Sequence, residues 1–249
     1  MSVAKSSARR ARRGDNPRKA PQSVRKRYPA AIREAQLIEG AAAFFANRGF
    51  AATTRDLADE LDVTQALLYR YFKNKAALID RVLDWAMTDR WRPEWQNLIA
   101  DESRPLAERL IQFYQEYAGD ITQERMRLMV RAGIDGFGMP QRKSFRLTDH
   151  VLMPVCRAIR RATDLPDFAT VPFTRGEREL SMSLHGGVIF VCIRKHVYRM
   201  ELPDDLDVLV EMQVRNFVSG APETLAAILR GDLGATLTVP LMGPDQRRA

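Results

Sequence analysis

The chain has 249 residues, 45% of them hydrophobic, and a formal net charge of +8. This length and composition can bury a full core, which excludes a disordered or fibrous protein for most of the chain. The longest nearly uninterrupted apolar run, residues 186–193, is far shorter than the roughly 20 residues of a membrane-spanning helix, so we expect a soluble protein. Two cysteines, Cys156 and Cys192, are too few for a disulfide framework, and a reducing cytoplasm is the simplest expectation.

The positive charge is concentrated at the N-terminus. Residues 1–27 contain ten basic groups and one acidic group, a net of +9, which leaves a net of −1 for the rest of the chain. Charge repulsion and a shortage of large apolar side chains predict a flexible basic tail over residues 1–29. No apolar stretch follows this tail, so no secretory signal is expected, although its composition also suits an organelle transit peptide.

The chain after the tail is predicted to be helical. Between residues 31 and 45 the apolar side chains recur at steps of three and four, which predicts a helix that stops at Gly49. Thr53 or Thr54 can cap a short second helix, and Thr64 caps a third that runs to residue 72. Asn74 caps a long fourth helix that continues towards residue 93.

Beyond residue 93 the apolar spacing stays helical, and no convincing strand alternation is present. Proline or glycine residues lie at the boundaries of the remaining helical segments. These segments are predicted near residues 103–118, 121–136, 142–163, 176–199, 204–219 and 222–230. The sequence therefore predicts an all-α fold.

Residues 54–72 have the layout of a helix-turn-helix, in which two short helices are joined by a tight break. A helix that enters the major groove must be exposed on one side and held from behind by apolar contacts. The predicted apolar clamp consists of Leu57, Ala58, Leu61, Val63, Leu68 and Phe72. The alternative is a plain helical hairpin packed in a bundle, which several agreeing features at fixed offsets disfavour.

At these residues the sequence resembles the tetracycline-repressor family of transcription regulators. The resemblance is carried by Thr53-Thr54-Arg55-x-Leu57-Ala58, Val63-Thr64-Gln65, Leu68-Tyr69-x-Tyr71-Phe72 and Lys75. It is specific over roughly residues 30–80 and extends further only as length and helical layout. It implies a three-helix DNA-binding domain over residues 30–75 and a larger helical effector-binding and dimerisation domain over residues 76–235. Separately, Pro240, Gly243 and Pro244 predict a loose C-terminal end over residues 236–249.

The resemblance also implies which side chains touch DNA. The matching positions that contact phosphates or anchor the backbone are Thr54, Thr64, Tyr69, Tyr71 and Lys75. The positions that match base-reading ones are Arg55, Gln65, Ala66 and Leu67. The chemistry agrees, because glutamine can pair with adenine and arginine with guanine. Tyr71 also has a plain interpretation as a packing residue.

One departure from the family pattern lies in the third helix. The family usually has a small residue followed by threonine where this chain has Ala66-Leu67. One hydroxyl contact to DNA is therefore missing, and the operator sequence cannot be carried over from a relative.

Aromatic and methionine side chains are dense in the second part of the chain. Most are expected to form core, but a helical domain that admits a small molecule would be lined in the same way. The candidate pocket residues are Trp91, Phe113, Tyr117, Met126, Met129, Met153 and His185.

The resemblance implies a homodimer in which segments 176–199 and 204–219 form a four-helix bundle with their copies. Gly186 and Gly187 suit such an interface, because a glycine inside a helix costs about 1 kcal/mol unless close backbone approach compensates. The alternative is a local kink within one chain.

Enzyme and metal functions lack the motifs that they need. His150, His185 and His196 have no carboxylate or cysteine at ligand spacing, so no metal or other cofactor is expected. Nucleophile elbow, dinucleotide loop, P-loop and zinc-helix motifs are missing from the sequence. The two cysteines could form a redox switch, but packing as small apolar groups is the simpler interpretation.

The expected function is sequence-specific binding of double-stranded operator DNA by a homodimer, which an unknown small-molecule effector releases. The alternative is an architectural DNA-binding protein that acts through its basic tail, without an effector. Because the body of the chain is nearly neutral, specific binding must depend on particular side chains rather than on bulk charge.

Overall fold

The structure, a computed structural model, describes residues 29–87, 89, 91–137, 147–203 and 205–241. Within these residues it is all-helical, as predicted, and its one β-type pairing is an isolated bridge between Thr174 and Pro240. Residues 1–28 of the basic tail and residues 242–249 lie outside the described part of the chain.

The described residues form ten α-helices, which are α1 (Ala30–Arg48), α2 (Thr54–Glu60), α3 (Gln65–Tyr71), α4 (Lys75–Met87), α5 (Pro93–Ala100), α6 (Leu106–Gly119), α7 (Gln123–Ile134), α8 (Met153–Ala162), α9 (Arg175–His196) and α10 (Leu206–Arg230). A π-helical turn, Thr148–Leu152, leads into α8, and a 3₁₀ turn, Ala235–Leu237, follows α10. No helix in the described ranges is both long enough and apolar enough to cross a membrane.

The helices enclose two hydrophobic cores. The first is formed by α1 to α4 and one face of α7, and the second by α5, α6, α8, α9 and α10. Helix α7 belongs to both, because Leu128 and Ala132 pack into the first core while Met126 packs into the second. The part of the chain that carries the short helices α2 and α3 is therefore joined, through packing on α7, to the helices of the second core, which we call the body.

Arginine side chains add polar contacts to this junction. Arg131 donates from Nε to the carbonyl of Ala46 and from Nη2 to the carbonyl of Asn47, both at 3.2 Å. Arg127 donates to the side-chain oxygen of Asn47 at 3.0 Å. The last turn of α1 leaves carbonyls without helical partners, and two guanidinium groups of α7 thus bind this end of the helix.

Two helix boundaries differ from the sequence prediction. Helix α4 ends at Met87 rather than continuing towards Pro93, which instead opens α5 at its first turn. Segments 204–219 and 222–230 form the single helix α10, with Pro222 inside it. A proline there costs about 3 kcal/mol, and burial of Leu225, worth about 1.5–3 kcal/mol, offsets much of that loss.

Residues 236–241, which we expected to be loose, pair with the start of α9. The Leu241 amide donates to the carbonyl of Phe173 at 2.8 Å, and the Arg175 amide donates to the carbonyl of Val239 at 3.0 Å. Gly176 permits this approach, because a Cβ there would lie 3.0 Å from the Cβ of Leu237. The segment is fixed by backbone pairing that apolar spacing cannot reveal.

Candidate nucleic-acid interface

The start of α2 is fixed by a reciprocal cap. Thr53 accepts a hydrogen bond from the Asp56 amide at 3.1 Å, and the Asp56 carboxylate accepts one from the Thr53 amide at 3.1 Å. The Thr53 hydroxyl also donates to the Asp56 carboxylate at 2.6 Å, and this bond, followed by the one from the Thr53 amide, lowers the pKa of the Asp56 carboxyl. Of the two threonines that the sequence allowed as caps, Thr53 takes this role, and Thr54 is the first residue of the helix.

The turn between α2 and α3 lies where the sequence predicted a break. Asp62 has φ of +49°, in the left-handed region that aspartate tolerates better than most residues. Thr64 then caps α3, as predicted, by accepting from the Leu67 amide at 3.2 Å. Asn74 likewise caps α4 by accepting from the Ala77 amide at 2.8 Å.

The predicted apolar clamp behind α3 is confirmed. Leu57, Ala58, Leu68 and Phe72 are buried in the first core, and Leu61 and Val63 pack against it. These contacts hold α3 by one face only. Its opposite face is open, with Ala66, Tyr69 and Arg70 exposed and Gln65 and Leu67 partly exposed.

A hydrogen-bonded network links α2 to the open face of α3. The Gln65 Nε2 donates to the Thr54 hydroxyl at 2.8 Å, and that hydroxyl shares a hydrogen bond with the Tyr69 hydroxyl at 3.0 Å. Thr54 is only 6% exposed, whereas Tyr69 is 45% exposed. The buried Thr54 hydroxyl therefore holds the Gln65 and Tyr69 side chains of α3 in place. Of these three residues, Tyr69 is the most exposed to solvent.

The other residues that the resemblance singled out occupy mixed environments. Arg55 is exposed on α2. Lys75 is partly buried and donates to the carbonyl of Ala51 at 3.3 Å. Tyr71 is partly buried against the first core, in line with its packing interpretation. The α7 arginines that bind the end of α1 were not identified from the sequence, although Arg127 and Arg131 are four residues apart and so share one helix face.

In the body, most of the candidate pocket residues meet in one aromatic cluster. Tyr117 lies 5.7 Å from Phe113 and 5.5 Å from His185, measured between ring centroids. Trp95, which the sequence analysis did not choose, lies 5.3 Å from Trp91 and 6.0 Å from Phe113. The cluster is part of the second core.

Two of the candidate pocket methionines, Met129 and Met153, are not part of this cluster. Met129 packs against the first core, whereas Met126, about one turn earlier on α7, packs into the second. Met153 is partly buried at the start of α8 and is a member of neither core cluster among the described residues. The seven candidates were chosen by residue type. Residue type does not show which face of a helix packs against the cluster, so the sequence could not exclude these two methionines.

The aromatic cluster contains two buried polar atoms that lack partners. Within the described part of the chain, neither the Tyr114 hydroxyl nor His185 Nδ1 has a hydrogen bond. Burial lowers the pKa of His185 to about 4, so the imidazole is neutral at physiological pH. The site is thus apolar with neutral hydrogen-bonding groups.

The two candidate interface glycines differ in their surroundings. A Cβ on Gly187 would lie 3.0 Å from the side-chain oxygen of Gln213 on α10. Packing within its own chain therefore explains why glycine occupies this position. A Cβ on Gly186 would meet nothing within 4 Å. Exposed apolar residues, Phe190 on α9 and Met212 on α10, lie on the same helix pair.

Both cysteines are buried thiols. Cys156 shares a hydrogen bond with the Ser181 hydroxyl at 2.9 Å, and burial raises its pKa to about 12. Burial raises the pKa of Cys192 to about 11. Thiols that stay protonated are poor nucleophiles, in line with packing as small apolar groups. No group of three or more potential metal ligands occurs among the described residues.

The fold and this site define a helix-turn-helix domain attached to a larger helical body. Residues 37–82 match the family model described as bacterial regulatory proteins, tetR family. The helix-turn-helix of this chain thus lies within the segment that matches the tetR family.

Sequence relatives match about a third of the chain or less. The HTH-type transcriptional repressor KstR2 of Mycobacterium tuberculosis is 36% identical over 79 residues, which are 30% of this chain and 37% of that protein. The chain thus covers little more than a third of this relative.

Solved structures resemble a larger part of the chain. A TetR-like transcriptional regulator from Rhodococcus sp. RHA1 has a TM-score of 0.60 with 18% identity, over 78% of this chain and 100% of that chain. A tetR-family transcriptional regulator from Streptomyces coelicolor has a TM-score of 0.55 with 19% identity, over 88% of this chain and 95% of that chain. At these identities the likeness concerns the fold, and it extends through both cores.

Proposed function

We propose that this protein is a sequence-specific transcription regulator, and specifically a repressor, that inserts α3 into the major groove of double-stranded DNA. One observation carries the proposal: α3 is a two-turn helix held by a buried clamp on one side and open on the other. A helix in this setting can enter the groove without rearrangement of the core. The matched relative is itself a transcriptional repressor.

The geometry supports separate roles for the side chains of the interface. Gln65 and Arg55 read base edges, with Ala66 and Leu67 in apolar contact, because glutamine and arginine can each form two hydrogen bonds to one purine. Tyr69 and Lys75 contact phosphates, together with Thr64 and Tyr71. Thr54 acts indirectly, since its hydroxyl already binds Gln65 and Tyr69 and positions both.

The protein acts as a homodimer through α9 and α10. Gly186 lies on an open stretch of α9, and Phe190 and Met212 expose 52% and 61% of their surfaces. Exposed apolar groups on two adjacent helices favour association with a second copy. Two-fold symmetry would place two α3 helices on the half-sites of an inverted repeat.

A small-molecule effector that binds in the body would control DNA binding. The aromatic cluster supplies an apolar site, and the unpaired Tyr114 hydroxyl and His185 Nδ1 supply groups that could orient a ligand. Helix α7 packs into both cores and binds the end of α1. A shift of α7 in the body would therefore move the domain that carries α3.

Selection of bound DNA from a random pool tests the proposal. We expect an enriched inverted repeat whose half-sites are separated by about one helical turn or a multiple of it. Competition with random DNA separates the proposal from tail-driven architectural binding, because a tail that only neutralises phosphates gives no sequence preference. Recovery of unenriched sequences would refute sequence-specific recognition.

A further inference from the structure

A cavity lies outside both the helix-turn-helix and the aromatic cluster. It opens between α5, α6 and α8 with a volume of about 290 Å³, near the lower limit for small-molecule sites. None of the candidate pocket residues chosen from the sequence lines it. Three arginines do, namely Arg109, Arg157 and Arg161.

Among the side chains that line the cavity, which we call its wall, Arg109 is the least expected. The residue is only 3% exposed, and its Nη1 donates to the carbonyl of Ile99 at 3.0 Å. Its Nε has no hydrogen-bond partner in the part of the chain that the structure describes. A buried donor of a charged group without an acceptor is costly. The cavity beside it offers room for an acceptor from a ligand.

Counted together with Arg109, the charged side chains that line the cavity leave an excess of one positive charge. Arg161 forms an ion pair with Glu102, which also lines the cavity. Arg157 has no carboxylate partner among the described residues, and its guanidinium lies 5.2 Å from the centre of the Phe168 ring. Asp149 is the second carboxylate of the wall. Three arginines thus face two carboxylates.

The wall also has an apolar part. Ile99, Pro154 and Ala158 line the cavity beside the arginines. A guanidinium pairs well with a planar carboxylate, because its N–H groups match the two oxygens. Inorganic phosphate would satisfy the charge but would leave the apolar part of the wall unfilled.

We propose that this cavity binds a small organic carboxylate, with its oxygens on Arg109 and Arg157 and its hydrocarbon part against Ile99 and Pro154. This site is separate from the aromatic cluster and does not depend on DNA binding.

Calorimetric titration of the full chain with benzoate, benzyl alcohol and inorganic phosphate tests this site. Benzoate should bind, and uncharged benzyl alcohol, of similar shape, should bind at least about tenfold more weakly. Arg157→Gln should weaken benzoate binding about tenfold. The matched control Arg178→Gln removes an arginine of α9 that pairs with Glu179 and does not line the cavity, so affinity should be unchanged.

Arg109→Gln should weaken benzoate binding as well, and Arg157→Gln keeps the test decisive if the Arg109 variant does not fold. Weaker binding of phosphate than of benzoate supports an organic carboxylate. Phosphate binding without benzoate binding would overturn that assignment in favour of an inorganic ion. Equal binding of benzyl alcohol, no benzoate binding, or unchanged affinity in Arg157→Gln would overturn the proposal.

Discussion

At the scale of single residues, the proposed function assigns some side chains of the interface to base edges and others to phosphates. Gln65→Ala should relax discrimination at one position of each half-site by about 1–3 kcal/mol, because hydrogen bonds to a base are lost. Lys75→Ala should weaken binding about equally on good and poor sites and lower the slope of log affinity against log salt by roughly 1 per subunit. Titrations against the selected operator and its single-base variants measure both effects.

Arg55→Ala serves as an intermediate case in the same titrations. It should relax specificity at another position and also reduce the salt slope, because its charge lies near the phosphates whichever atom it binds. A Gln65→Ala protein with full specificity beside a Lys75→Ala protein without it would reverse the proposed orientation of α3.

A second residue-scale prediction concerns His185 and acid. Its pKa is about 4 in the folded chain and 6.5 in the reference state, so the unfolded chain binds more protons between these values. The stabilising contribution is therefore complete above pH 6.5 and is lost as the pH falls towards 4. From pH 7.5 to pH 5, this residue should remove about 2 kcal/mol from the free energy of unfolding.

Urea unfolding at the two pH values measures this loss, and His185→Gln should reduce it. Tyr114→Phe is the control, because it changes the same cluster without removing a group that titrates in this range. An unchanged pH dependence in His185→Gln would show that the imidazole is not buried in neutral form.

At the scale of helices, the α9 and α10 pair carries the proposed dimer contact. Gly186→Leu meets no obstacle within its own chain, and it should favour the helix by up to about 1 kcal/mol in the monomer. Loss of the dimer on sedimentation would therefore come from a clash with a second copy. Gly133→Leu on α7 is the matched control, because this glycine is also helical, exposed and open. A dimeric Gly186→Leu protein would place the contact elsewhere.

At the scale of the whole molecule, the positive charge and the proposed sequence recognition lie in different parts of the chain. Residues 1–27 carry a net charge of +9, whereas the rest is nearly neutral. Deleting residues 1–27 should lower affinity and flatten its salt dependence without changing the preferred operator, because counterion release does not depend on base identity. Repeating the selection and salt titration with the shortened chain tests this, and an altered operator would mean that the tail reads a minor groove.

Features that depend on neighbouring residues could be predicted from the sequence alone. Thr64 and Asn74 cap helices in the structure as predicted, and Leu57 and Leu68 form the clamp, because capping and helical spacing act within one or two turns. The positions of α2 and α3, and with them the candidate interface, followed from these local rules.

Tertiary structure decided the features that join distant parts of the chain. Met129 packs towards the first core, Pro222 stays inside a helix, and Thr54 binds Gln65 and Tyr69 instead of facing solvent. The cavity beside Arg109 likewise forms where α5, α6 and α8 meet. Each of these depends on which helix faces lie against one another, and helical spacing identifies an apolar face without identifying the face that covers it.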